Sequence, residues 1–149
     1  MRTTSHLAKI AKLEALRARL DPDDDFELWF WTTMNLGTNA VNAALHQCGA
    51  TREDDAYATQ PGVYLVAGSG GGALESVFRP LGDVLHVGRP QVEAPVPADV
   101  AAMMHAMEII EHHRDPCIRG EREPTPAIAR ECDAAIRQVM ALFRARMGA

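Results

Sequence analysis

FELWFWTTMNLGTNAVNAALHQCG, residues 26–49, is the stretch on which the fold turns. No charged residue occurs between Glu27 and Arg52, and most positions are apolar. The run is too long for a strand and ends at Gly49, a natural helix stop, so it predicts one helix from Phe26 to Cys48. Gly37 inside it costs about 1 kcal/mol relative to Ala, which predicts close packing against a neighbour. Along the same helix Asn35, Asn39, Asn42 and His46 recur in helical steps. At about 100° per residue they share a stripe roughly 60° wide, bordered by Thr32 and Thr38. Exposed helix faces favour Glu, Lys, Arg and Gln, and Asn is a poor helix former. An uncharged polar stripe on so apolar a helix therefore predicts a hydrogen-bonding seam lining a polar cleft.

Outward from this stretch, three more helices are predicted. The first begins after Thr4 or Ser5 as its cap and carries Leu7, Ile10, Leu13, Leu16 and Leu20 at helical spacing. DPDDD (21–25) ends it. Asp21, Asp23 and Asp25 alternate as in a calcium loop, but Phe26 and Thr32 stand where that loop needs Gly and Glu. The stretch is instead a turn at Pro22, with Asp24 or Asp25 capping the next helix. The third helix runs from Pro97 to Arg114, with Asp115-Pro116 as its stop. The fourth opens on a Thr125 cap and Pro126, and its apolar stripe is Ile128, Cys132, Ala135, Val139, Leu142, Phe143 and Met147.

These elements predict one mainly α domain over residues 1–149, a four-helix bundle with an excursion at about 50–96. So long a connection should hold structure of its own. GVYLV (62–66) and LESVF (74–78) flank AGSGGGA (67–73) as a hairpin with a mobile glycine tip, and DVLHVGRP (83–90) is a candidate third strand. The glycines are followed by Ala73-Leu74 rather than the Lys-Ser/Thr of a phosphate loop.

The formal charge of −5 argues against nucleic acid and anionic membranes as partners. Thirteen Arg against two Lys, with abundant Ala, suggests a GC-rich bacterial genome. Three cysteines without a CxxC pair suggest reduced thiols in a cytoplasm. The sequence has neither an apolar leader core nor a membrane-length apolar run.

For a site, the seam residues Asn35, Asn39, Asn42 and His46 are expected to meet His86, Arg89, Glu108, His112 and Arg114 around a ligand-binding cleft. Arginine forks suit carboxylate or phosphate, so Arg89, Arg114 and Arg119 are candidates for an anion clamp. His105, Glu108 and His112 share a face of the third helix, with Glu111 beside them. Bundle metal sites use Glu-x-x-His, whereas this helix offers His105-x-x-Glu108, so no metal is expected there. Ser69, Ser76 and Cys48 lack the context of a nucleophile, and no catalytic residue or particular cofactor is indicated. Trp29, Phe30 and Trp31 point about 100° apart, so one should face away from a single core and mark a homodimer interface. The leading expectation is a self-associating module that binds a small ligand or a protein. The alternative is a small enzyme with a His/Glu pocket performing metal-assisted hydrolysis.

Overall fold

The computed structural model describes residues 1–54, 57–60, 63–68, 74–78, 82–84, 86–88, 90, 92 and 94–148. The chain is mainly helical, with α1 at Thr3–Arg17, α2 at Phe26–Gln47, α3 at Ala98–Arg114 and α4 at Pro126–Met147. Short strands β1 (Tyr57–Gln60), β2 (Val63–Ala67) and β3 (Leu74–Phe78) lie between α2 and α3. They pair antiparallel in the order β1-β2-β3, with Tyr57 opposite Leu65 and Val63 opposite Phe78. Among the described residues no strand packs along a helix. The expected strand at 83–90 is not formed by its described residues, which have no regular structure apart from a turn at 87–88. The glycine tip at 69–73 and Arg89 lie outside the described residues.

Helix α2 is the central rod, packed by α1, α3 and α4. From Thr32 to His46 only Asn35 is exposed, which is why the helix is apolar nearly all round. Phe30, Val41 and Leu45 are fully covered, as are Met103, Met107 and Ile110 of α3 and Val139 of α4. Each such large side chain contributes about 1.5–3 kcal/mol by leaving water. A Cβ on Gly37 would stand 2.1 Å from Met107 Sδ and 3.1 Å from Ile136 Cδ1, so this glycine is where three helices meet closely.

Local signals set the helix ends, with two departures from expectation. Thr125 Oγ1 accepts from Ile128 N at 3.3 Å, and Gly49 and Gly148 end α2 and α4 with φ of 75° and 72°. Helix α1, however, begins at Thr3 after Arg2, with no side-chain cap from Thr4 or Ser5. Asp25 precedes α2 without capping it; its carboxylate accepts from Asp21 N, while Asp21 Oδ1 accepts from Asp23 N and Asp24 N, so the acids close a turn instead. Helix α3 ends at Arg114, before Asp115-Pro116, as expected. The chain then widens into a π turn at Asp115–Arg119, which accommodates a proline that has no N–H to give.

The aromatic run is also more covered than expected. Trp29 and Phe30 are buried, Trp31 is half-buried, and Arg17 lies over the Trp29 ring at 4.8 Å from its centroid. Arg17 also donates to Thr33 Oγ1 at 2.8 Å and Asp133 Oδ1 at 2.6 Å, joining α1, α2 and α4. The exposed large apolar side chains among the described residues are Leu7 and Leu28.

Candidate functional site

Asn39, Asn42 and His46 of the α2 seam are buried, while Asn35 reaches the surface. Asn42 acts as a piece of strand: its Nδ2 donates to Val84 O at 2.8 Å and its Oδ1 accepts from Val84 N at 2.7 Å. A few residues on, Gly88 N donates to Glu111 Oε1 at 3.0 Å, and a Cβ on Gly88 would stand 2.8 Å from the Glu108 backbone. The loop is thus clamped to α2 at one point and to α3 at the other. Asp83, immediately before the first clamp, is held against the His46 end of the seam.

Asp83 Oδ1 lies 2.8 Å from His46 Nε2 and 3.1 Å from His6 Nε2. His6 comes from α1, one turn before Ile10, and is buried with it. The far nitrogens are also engaged: His6 Nδ1 with Asn39 Oδ1 at 2.9 Å, and His46 Nδ1 with Thr51 Oγ1 at 2.7 Å. The amine of Met1 lies 2.6 Å from the other carboxylate oxygen, Oδ2. Burial raises the Asp83 pKa, but hydrogen bonds from His46, His6 and the Met1 amine outweigh it and hold the carboxyl well below the usual range. Asp83 is therefore a buried anion at neutral pH. His6, His46 and Asp83 can each offer one ligand atom, all within 4.8 Å of one another, and so could hold a metal ion.

A cavity of about 280 Å³ opens above this cluster. Its walls include Asn35, Asn39, Asn42, His86 and Arg114 from the predicted set and Arg119 from the expected clamp, with Trp31 and Lys9. Arg114 Nη1 donates to His86 Nδ1 at 3.3 Å, and Arg114 Nε donates to Asp115 Oδ1 at 2.9 Å. His46 stands behind the wall, against Asp83. Glu108 and His112 are not brought here; with His105, Glu111, His113 and Glu131 they line a separate, wider groove of about 700 Å³. There His105 Nδ1 and Glu108 Oε2 are 3.7 Å apart, and the imidazole is largely exposed. His113 Nε2 lies 2.9 Å from Glu131 Oε2.

Sequence reasoning did not single out His6, Thr51 or Asp83. One signal existed for His6: it extends the line of Ile10, Leu13 and Arg17 along the inner face of α1, whereas the expected Leu7 is exposed. For Asp83 the signal was a lone acid in the apolar run LGDVLHV. The chain matches no family model, no curated protein and no solved structure, so the geometry carries the functional reading.

Proposed function

We propose that the protein binds a small organic anion in the cavity above Asp83. The observation that supports this is the convergence of Lys9, Arg114 and Arg119 on a recess also lined by amides, the Trp31 ring, His6, His86 and the Asp83 carboxylate, whose charge the Met1 amine already meets. Arg114 presents a planar fork suited to carboxylate or phosphate. The volume of about 280 Å³ lies at the lower end of ligand pockets, which limits the guest to a small molecule. Asn35 and Asn39 each donate to a backbone carbonyl one turn earlier, which fixes how their amides face the recess. Titration calorimetry with a panel of small mono- and dicarboxylates and inorganic phosphate tests the reading. Binding should weaken at least tenfold in Arg114→Gln while the helical signal is unchanged. A panel without any binder, or equal affinity in the variant, would refute it.

The reading as an enzyme of metal-assisted hydrolysis at a His/Glu pocket draws on one observation, the Nδ1 of His113. This atom is buried without a hydrogen-bond partner beside the 700 Å³ groove. Its test is hydrolysis of activated esters with added Zn²⁺, compared between the native chain and His113→Gln. Self-association, expected from the aromatic run, would draw on Leu7 and Leu28, the large apolar side chains exposed among the described residues, rather than on the buried Trp29. Light scattering of the native chain and of Leu28→Glu at high micromolar concentration tests this. No helix among the described residues is long and apolar enough to cross a membrane. Cytoplasmic residence in a bacterium belongs to the same proposal, on the strength of composition.

A further inference from the structure

We propose that His6, His46 and Asp83 form a binding site for one divalent transition-metal ion of the zinc class, with Asn39 and Thr51 orienting the two imidazoles. The inference goes beyond anion binding and does not depend on it.

Asn39 is held in one orientation. Its Nδ2 donates to Asn35 O at 2.7 Å, so the amide cannot be turned round without setting oxygen against oxygen. Asn39 Oδ1 therefore faces His6 Nδ1 at 2.9 Å as an acceptor, and Nδ1 must carry the proton. In neutral histidine that leaves a lone pair on Nε2. This bare nitrogen points at Asp83 Oδ1 across 3.1 Å, and an ionised carboxylate can only accept. Two lone pairs would then face each other, so a positive centre has to stand between them: either a second proton on His6, which makes an imidazolium–carboxylate hydrogen bond, or a metal ion.

His46 meets the same oxygen at 2.8 Å. The hydroxyl of Thr51 at its Nδ1 can accept as well as donate, so His46 can also present a bare Nε2. Zinc holds nitrogen and oxygen at about 2.0–2.2 Å in a tetrahedron, which puts neighbouring ligand atoms about 3.3–3.6 Å apart. The two nitrogen–oxygen separations, 3.1 and 2.8 Å, are shorter than that spacing, so the ligands would spread by roughly half an ångström to admit the ion. An imidazole whose second nitrogen is fixed by an amide or hydroxyl is the usual outer-shell arrangement of metal sites. Two imidazoles and one carboxylate suit a transition ion rather than Ca²⁺ or Mg²⁺, which prefer all-oxygen sets. All three ligands are buried, and they come from α1, α2 and the loop pinned by Asn42, so binding would also lock these elements together. Three protein ligands leave a coordination position free for water or a guest in the adjoining cavity.

The test uses full-length protein freed of any affinity tag and stripped with chelator. Equilibrium dialysis against micromolar Zn²⁺, read by elemental analysis, should give one ion per chain. Co²⁺ should produce visible absorption bands of a nitrogen/oxygen site. His6→Gln and Asp83→Asn should each lose at least tenfold in affinity, and Asn39→Leu about 10–100-fold as an outer-shell change. Arg114→Gln should keep full metal affinity, which separates this outcome from that of the anion proposal. Should a variant fail to fold, nitrogen-15 histidine spectra of the native chain decide: Zn²⁺ should shift Nε2 of both His6 and His46. Absence of stoichiometric metal from the folded native chain overturns the proposal. So does a metal-free spectrum with His6 doubly protonated and insensitive to Zn²⁺, since a proton would then occupy the place assigned to the ion.

Discussion

Asn42 and Val84 exchange two hydrogen bonds, side chain to backbone, across 42 positions of sequence. Together with the His46–Asp83 contact, this pair ties the loop that carries Asp83 to the central helix. Asn42→Ala would leave the Val84 N–H and C=O without partners where both residues are almost fully buried. Each unsatisfied group costs about 1–3 kcal/mol. Thermal unfolding should therefore drop by several degrees, since 1 kcal/mol shifts a domain of this size by about 2–4 °C. Proton–nitrogen spectra should show His6 and His46 released from Asp83. A variant as stable as the native chain would mean that the loop is held by something else.

Asn39 has a different weight. It accepts from His6 Nδ1 and is anchored on Asn35 O. Asn39→Leu removes the acceptor and strands one ring N–H, for a loss of about 1–3 kcal/mol. Asn39→Asp keeps the acceptor for His6 but sets a second oxygen against Asn35 O, so it should recover only part of that loss. Urea unfolding of both variants checks the order; equal stability of the two would show that the His6 contact contributes nothing.

Much of this architecture could be read from residue order because helices are local. The polar seam of α2, the Thr125-Pro126 start of α4 and the tight spot at Gly37 all rest on spacing within one element. What escaped the sequence is what distant segments build together. His6 and Asp83 are 77 positions apart, and no periodicity links them. The outward aromatic face failed to appear because Arg17, a charged residue of α1, covers Trp29, a tertiary contact that the run WFW itself does not encode. Glu108 and His112 shared a helix face with each other but not with the seam, since the loop at Gly88 lies against the α3 backbone at Glu108 and fills the gap.

Gly37 offers a test of packing against propensity. Alanine in mid-helix should gain about 1 kcal/mol over glycine. Here its Cβ would fall 2.1 Å from Met107 Sδ and 2.8 Å from its Cε, and Met107 is fully buried with little room to turn away. Overpacking of that kind costs about 1–3 kcal/mol. The net expectation for Gly37→Ala is a modest loss, and for Gly37→Val a larger one, because branching at Cβ also crowds Ile136. Chemical denaturation would decide, and a Gly37→Ala variant more stable than the native chain would show that Met107 yields freely.

Cys132 gives the pH dependence. Its side chain is fully covered on α4, and burial, followed by the nearby Glu131 and Cys117, pushes its thiol up to about 12. In the unfolded chain a cysteine ionises at about 8.5. The native state thus keeps a proton that the unfolded state releases. This contribution to stability is complete below about pH 8.5 and is lost progressively as the pH rises toward 12. Replacing Cys132 with Ala should lower stability near neutrality by leaving a small void, yet flatten the decline between pH 8 and 10. The same burial should make Cys132 inert in the folded chain. Ellman's reagent at pH 8 should reach the half-buried Cys48 and Cys117 first, and Cys132 only on addition of denaturant. Three thiols reacting together in native buffer, or identical pH slopes for the native chain and the variant, would refute this account of the α4 core.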